Sequence, residues 1–123
     1  ILNREVSKKI LPILRKIVNT KEGTASLANV NGYEIGGKTG TAQKKVPTGK
    51  FHPRTGIRLY RTDHITWFVS FAPVEAPRYS VVVMVESGES GGTTCAPIAG
   101  RIYRAIQEIE RNAKEGGPRL AKR

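Results

Sequence analysis

The chain is short and strongly basic, with 123 residues, 21 Lys and Arg, 10 Asp and Glu, and a formal net charge of +11. That length allows one domain or part of one. The longest aliphatic run, Val81 to Val85, is five residues, far short of the roughly 20 that a membrane helix needs. A single cysteine, Cys95, and two histidines exclude a disulfide framework and a cysteine-built metal site.

The positive charge is concentrated in three segments. Residues 1–21 carry six bases against one acid, residues 44–61 carry six bases and no acid, and residues 101–123 carry seven bases against three acids. Residues 62–100 have a net charge of −3. Such a balance is compatible with binding to nucleic acid, an anionic membrane or an acidic polymer. Solvated helix faces and a basic tail are the simpler explanation of this charge.

The first predicted element is a helix over about residues 7–18. Ser7 is a suitable N-cap, because its hydroxyl can accept an N–H of the first turn. Pro12 lacks the N–H of a helix interior, so we expect the helix to begin later or to bend there. The predicted apolar stripe, at spacings of three and four residues, consists of Ile10, Leu11, Leu14, Ile17 and Val18.

Three strands are predicted next. The first, around residues 38–42, is rich in glycine and threonine, and residues 44–61 that follow have no clean period and predict a loop. Ile65 to Ala72 and Tyr79 to Glu86 are rich in β-branched and aromatic residues, which favour strands. The short link between these two predicts an antiparallel hairpin. Trp67 and Phe68 are expected in its core.

A glycine-rich turn at residues 88–92 leads to a second helix, from Pro97 to about Asn112. The predicted apolar face of this helix consists of Ile98, Ile102, Ile106 and Ile109. The whole order of elements predicts an α+β fold, an antiparallel sheet with flanking helices. Residues 1–113 are expected to form the packed part, and residues 114–123 a basic C-terminal tail.

Two motifs overlap at Lys38. Residues 32–39 satisfy G-x-x-x-x-G-K-[ST], the pattern of a phosphate-binding loop. Its context argues against that reading, because residues 28–31 do not form an apolar strand and Gly40 disfavours the helix that must begin at the lysine.

The second motif is Lys38-Thr39-Gly40-Thr41 on a strand, where alternation places Lys38 and Gly40 on one face. Glycine lets a flat acyl group lie against the backbone. The lysine supplies a fixed charge, the hydroxyls can bind a carboxylate, and strand N–H groups can stabilise an oxyanion. Lys-Thr-Gly is the third motif of the active-site serine family that includes penicillin-binding proteins and serine β-lactamases.

Further segments follow that family's order: Gly23 to Ala25, Gly37 to Gln43, Asp63 to Pro73, Pro77 to Glu86, Gly91-Gly92 and Cys95 to Ala99. The chain therefore resembles the C-terminal part of a class B penicillin-binding protein transpeptidase domain. The His-x-x-Trp-Phe strand and the glycine-rich turn are most similar to the elongation, or rod-shape, type.

The resemblance implies roles for four residues. Lys38 would be catalytic, binding substrate and relaying protons. Thr39 and Thr41 would bind the substrate's terminal carboxylate or that of a β-lactam, and the Thr41 N–H would form half of the oxyanion hole. Gly40 would have to stay small. No metal or other cofactor is implied.

The resemblance also implies a parent protein. That parent would be anchored in the cytoplasmic membrane through an N-terminal anchor missing here, with this region on the outer side. It would cross-link peptidoglycan stem peptides through an acyl-serine intermediate, and its partners would be those peptides, β-lactams and the rest of the transpeptidase domain. No nucleic acid is expected.

The first two catalytic motifs of the family are missing. None of the serines is followed three residues later by Lys, and Ser-x-Asn is also absent. A serine enzyme of this class needs its nucleophile and base within hydrogen-bond reach, so the chain alone is predicted to be inactive. The alternative function is a basic module that binds nucleic acid or an acidic polymer and matches Lys-Thr-Gly by chance.

Overall fold

A computed structural model describes residues 3–116 as two helices packed on one face of a three-stranded antiparallel sheet. The elements are α1 (Arg4–Asn19), a 3₁₀ turn (Ser26–Ala28), β1 (Gly36–Phe51), β2 (Arg58–Ala72), β3 (Tyr79–Glu86), a π-helical turn (Gly91–Cys95) and α2 (Ala96–Lys114). The predicted α+β class is confirmed. The predicted tail begins at the last residue of α2, and residues 117–123 lie outside the described residues.

Helix α1 begins three residues earlier than predicted. Asn3, not Ser7, is the N-cap, and its side-chain oxygen accepts the Val6 N–H at 2.9 Å. The Ser7 hydroxyl instead donates to the Asn3 carbonyl at 3.2 Å. Pro12 lies inside the helix. The Lys8 carbonyl that loses its helical donor belongs to an exposed residue, where water can replace that donor.

The loop predicted at residues 44–61 is wrong. β1 and β2 continue through this region as a hairpin, with register partners from Lys44↔Asp63 to Phe51↔Arg58. β3 stops pairing at Ile65↔Glu86, so residues 43–64 form a two-stranded ribbon, here called the basic arm. Its residues are mostly exposed on both faces, and the period-2 alternation that identifies a half-buried strand is therefore missing.

The core lies between the sheet and α2. Phe68 and Tyr103 are fully buried there, and the Tyr103 hydroxyl lies 3.0 Å from the Ser70 hydroxyl. The residues of α2 that are buried are Ala96, Ala99, Gly100 and Tyr103.

The predicted apolar face of α2 is therefore partly wrong. Ile102 and Ile109 are 40% and 68% exposed, whereas Ile98 and Ile106 pack at the margin of the core. The helix turns its small residues inward because it lies close to the 3₁₀ turn. A Cβ on Gly100 would lie only 3.1 Å from the Ala28 Cα.

The opposite face of the sheet is apolar and open. Trp67, Val69, Val82 and Met84 are 38%, 49%, 56% and 47% exposed, and the strand register places Trp67 opposite Met84 and Val69 opposite Val82. We call these four residues the open sheet face. Phe68 is a core residue as predicted, but Trp67 is not. Neither helix in the described part of the chain is long and apolar enough to cross a membrane.

Candidate functional site

Lys38, Thr39, Gly40 and Thr41 lie together near the start of β1. They are opposite Val69, Phe68, Trp67 and Thr66 of β2, respectively. Within residues 3–116, β1 pairs only with β2, so no described strand covers its other edge. The strand runs straight through Lys38, and no helix begins there. The nucleotide-loop reading lacks both the strand before the glycines and the helix after the lysine.

The Lys38 side chain is exposed, and its ammonium donates a hydrogen bond to the Thr39 carbonyl at 2.7 Å. None of the ion pairs formed among residues 3–116 involves this lysine. Register places it on the same side of the sheet as Val69, that is, beside the open sheet face. An ammonium in this position can receive an anionic group of a ligand.

Thr39 is held from the opposite face of the sheet. Its hydroxyl lies 3.1 Å from that of Thr24, a residue in the turn after α1, where the Ala25 N–H donates to the Ile17 carbonyl at 3.0 Å. Thr41 is exposed. Sequence reasoning assigned no role to Thr24, because its contact with Thr39 depends on how α1 packs against the sheet.

The backbone near Gly40 is crowded by the π-helical turn. A Cβ on Gly91 would lie 2.1 Å from the Trp67 carbonyl oxygen and 3.0 Å from the Gly40 carbonyl oxygen. A Cβ on Gly40 itself would meet only the Trp67 Cβ, at 3.6 Å, an ordinary contact. Packing within the described chain therefore requires glycine at position 91 and leaves room for a methyl group at position 40.

The turn that follows β3 fastens the base of the basic arm. The Ser87 hydroxyl donates to Asp63 Oδ2 at 2.7 Å, and the His64 N–H donates to Asp63 Oδ1 at 2.9 Å. These bonds, the first above all, hold the pKa of Asp63 below its usual value, because they favour the ionised carboxylate. The sequence does not predict this contact, because Ser87 adopts a left-handed backbone with φ of 58°, a conformation that residues other than glycine seldom take.

Cys95 and Thr66 are buried under the same turn. The cysteine sulfur lies 3.4 Å from the Thr66 hydroxyl, and the side chain is a small, fully buried group. The described residues contain no cluster of three or more His, Cys, Asp or Glu that could hold a metal ion.

Among the described residues, the Lys38 ammonium makes no hydrogen bond to a serine hydroxyl. Ser70, on the neighbouring strand, is buried, and its hydroxyl donates to the Val81 carbonyl at 2.9 Å. It is opposite Gly37 and so faces away from Lys38. The structure therefore places Lys38 on one face of β1 and the side chains of Thr39 and Thr41 on the other, on a mixed α+β scaffold.

Comparison with known proteins identifies this scaffold. The family model for the penicillin-binding protein transpeptidase domain matches residues 2–104, and the chain belongs to that family. It is 41% identical over 108 residues to stage V sporulation protein D of Bacillus subtilis, covering 85% of this chain and 15% of that protein. It is 32% identical over 89 residues to the peptidoglycan D,D-transpeptidase MrdA of Haemophilus influenzae, covering 70% and 13%.

A solved structure agrees with this assignment. The crystal structure of Pseudomonas aeruginosa PBP2 in complex with WCK 5153 superposes with a TM-score of 0.62 at 28% identity, covering 86% of this chain and 21% of that one. The chain thus spans less than a quarter of the relatives described here. The match to a protein named MrdA is compatible with the elongation type, which stays a prediction, since other matches are to proteins named FtsI.

Proposed function

We propose that residues 1–113 are the C-terminal portion of a serine-type peptidoglycan D,D-transpeptidase domain and supply the Lys-Thr-Gly wall of its active site. The observation that carries this proposal is the exposed Lys38 ammonium beside an open strand edge, in a chain of the transpeptidase family. Lys38 binds substrate and relays protons, and Thr39 and Thr41 bind the terminal carboxylate of the stem peptide.

The strand geometry supports the role of Thr41 in stabilising an oxyanion. In an antiparallel ladder, the backbone groups of alternate residues point to the same side of the strand. Thr39 and Thr41 therefore share a direction, and the Lys38 ammonium contacts the Thr39 carbonyl on that side. A carbonyl oxygen held by the Thr41 N–H lies close to this positive charge, which stabilises the negative charge developing in the transition state.

The open sheet face supports the proposal that the rest of the domain packs on this chain. Large apolar side chains gathered in one exposed patch mark a surface that another element covers. Trp67 and Val69 lie opposite Gly40 and Lys38 in the register. A segment packed on this face is thus in position to bring the serine nucleophile and its base to the site.

The reaction follows from these parts. A serine hydroxyl of the preceding segment attacks the penultimate D-Ala carbonyl, the terminal D-Ala leaves with a proton on its amine, and an amine of a neighbouring stem peptide resolves the acyl-enzyme. The proposed parent is anchored in the cytoplasmic membrane and carries this region on the outer side. No metal or nucleotide takes part in these steps.

Fluorescent-penicillin labelling on a denaturing gel tests the proposal. We expect no labelling of the 123-residue chain, and labelling of a longer polypeptide that carries Ser-x-x-Lys before this sequence. Lys38→Ala in the longer protein should lower the labelling rate at least tenfold, because the ammonium beside the reacting centre is lost. Lys9→Ala, at an exposed position of α1, is the control and should label normally. Equal labelling by both variants would refute the role of Lys38.

A further inference from the structure

We infer that the basic arm is a docking surface for an anionic glycan–peptide strand, whose carboxylates pair with the arm's bases and whose sugar rings stack on its aromatic residues. This inference rests on the proposed function, because the Lys-Thr-Gly wall and the arm belong to the same two strands.

The first observation is unneutralised charge. Two of the six basic residues of the arm form ion pairs near the end of the arm that joins the sheet. Lys44 lies 3.0 Å from Glu86, and Arg61 lies 3.7 Å from Asp63. The other four take part in none of the ion pairs found among residues 3–116, and they are Lys45, Lys50, Arg54 and Arg58. The outer half of the arm is therefore a concentrated positive field without internal compensation.

The second observation is exposed apolar surface between those charges. Phe51, Ile57, Leu59 and Tyr60 are 58%, 66%, 38% and 55% exposed. The Arg58 guanidinium lies 5.9 Å from the centre of the Phe51 ring, and more than half of that side chain stays exposed to a ligand. Aromatic rings beside guanidinium groups bind flat or ring-shaped groups through stacking while the cation pairs with an anion.

The third observation is the arm's length and direction. Arg58 lies seven residue steps before Ile65, the last β2 partner of β3, so the ribbon extends roughly 23 Å beyond the three-stranded sheet at about 3.3 Å per residue. It continues β1 directly from Thr41. A polymer held by its end at Lys38 can therefore follow the same strand outward along the arm.

The distribution of side chains favours a strand-like ligand over a flat membrane. The register places Lys45 and Tyr60 on one face of the ribbon, and Val46 and Arg61 on the other. Adsorption to a bilayer needs one apolar face with bases beside it, and here both faces carry both kinds of residue. The apex, residues 52–56, is polar and contains Arg54, which disfavours insertion end-on.

Co-sedimentation of the 123-residue chain with purified peptidoglycan sacculi tests the inference. The arm variant changes Lys45, Lys50, Arg54 and Arg58 to Gln. The matched control changes Lys9, Lys16, Arg104 and Arg111 to Gln, which removes the same four charges from exposed helix positions. We expect the arm variant to lose affinity at least tenfold and the control less than threefold.

Further measurements separate binding through charge, binding through aromatic contact and non-specific binding to other polyanions. Converting the sacculus carboxylates to neutral amides should weaken binding of the unaltered chain by a similar factor. Phe51→Ser with Tyr60→Ser should weaken binding at least threefold at unchanged charge, whereas Ile102→Ser with Ile109→Ser on α2 should not. Equal losses for the arm variant and its charge control, or equal affinity for heparin or anionic phospholipid vesicles, would overturn the inference. Circular dichroism of every variant confirms folding.

The two proposals fail separately. If the longer protein never labels with penicillin, the transpeptidase function is refuted whatever the sacculi show. If it labels but the arm variant binds sacculi as well as the unaltered chain does, only the role of the arm is refuted.

Discussion

An added methyl group should destabilise the protein at position 91 and leave its stability nearly unchanged at position 40. The Gly40→Ala methyl meets only the Trp67 Cβ, at 3.6 Å, whereas the Gly91→Ala methyl would lie 2.1 Å from the Trp67 carbonyl oxygen. Carbon and oxygen atoms do not approach so closely, so the turn or the strand must move by about 1 Å to regain ordinary van der Waals separation.

The magnitudes follow from that difference. Overpacking of this kind costs typically 1–3 kcal/mol, and we expect Gly91→Ala to lower the free energy of unfolding by about 2 kcal/mol. For a domain of this size that is roughly 8 °C in Tm. Gly40→Ala should change the free energy of unfolding by less than about 0.5 kcal/mol, since its methyl group fits and alanine lowers the entropy of the unfolded chain.

Urea unfolding of the two variants beside the unaltered chain measures both quantities. Far-UV circular dichroism and the fluorescence of Trp67, the only tryptophan, should report the same transition. A loss above 1 kcal/mol in Gly40→Ala, or below 0.5 kcal/mol in Gly91→Ala, would refute the packing described here. If Gly40→Ala leaves the stability unchanged but slows penicillin labelling of the longer protein, glycine is required at position 40 for ligand binding and not for packing.

Two other predictions concern the core and the base of the arm. Tyr103→Phe removes the hydroxyl that lies 3.0 Å from Ser70 and should cost about 1 kcal/mol in urea unfolding, against about 4 kcal/mol for Tyr103→Ala. An unchanged free energy of unfolding in Tyr103→Phe would contradict a stabilising hydrogen bond. Folding lowers the pKa of Asp63. The ionised Asp63 carboxylate therefore stabilises the folded state above the ordinary carboxyl pKa, and this stabilisation is lost as the pH falls through the lowered pKa of the folded state. Ser87→Ala should therefore destabilise the chain more at pH 7 than at pH 2.5, and an effect that does not change with pH would refute the assignment.

Much of the fold was predictable from local pattern. The hairpin at residues 65–86 has β-branched residues in both strands, and β2 alternates buried with exposed residues from Thr66 to Ser70. The Lys-Thr-Gly motif was also readable, because the order of residue types in the chain carries it without any knowledge of packing.

Two of the errors, the basic arm and the inward face of α2, share one physical origin, which is that burial depends on neighbours distant in sequence. The basic arm escaped prediction because a two-stranded ribbon exposed on both faces has no hydrophobic period. The inward face of α2 was misjudged because Gly100 packs against the 3₁₀ turn, and this favours small residues over isoleucine at the contact.

The amino-acid sequence by itself determined the family, the α+β class and the place of Lys38 to Thr41 on a strand, because motif order and side-chain period are local properties of the chain. Only the tertiary structure decided that Thr24 reaches Thr39, that Gly91 and not Gly40 is required by packing, and that one apolar face of the sheet stays open. Those features depend on distances between segments that are far apart in the chain, which no local pattern records.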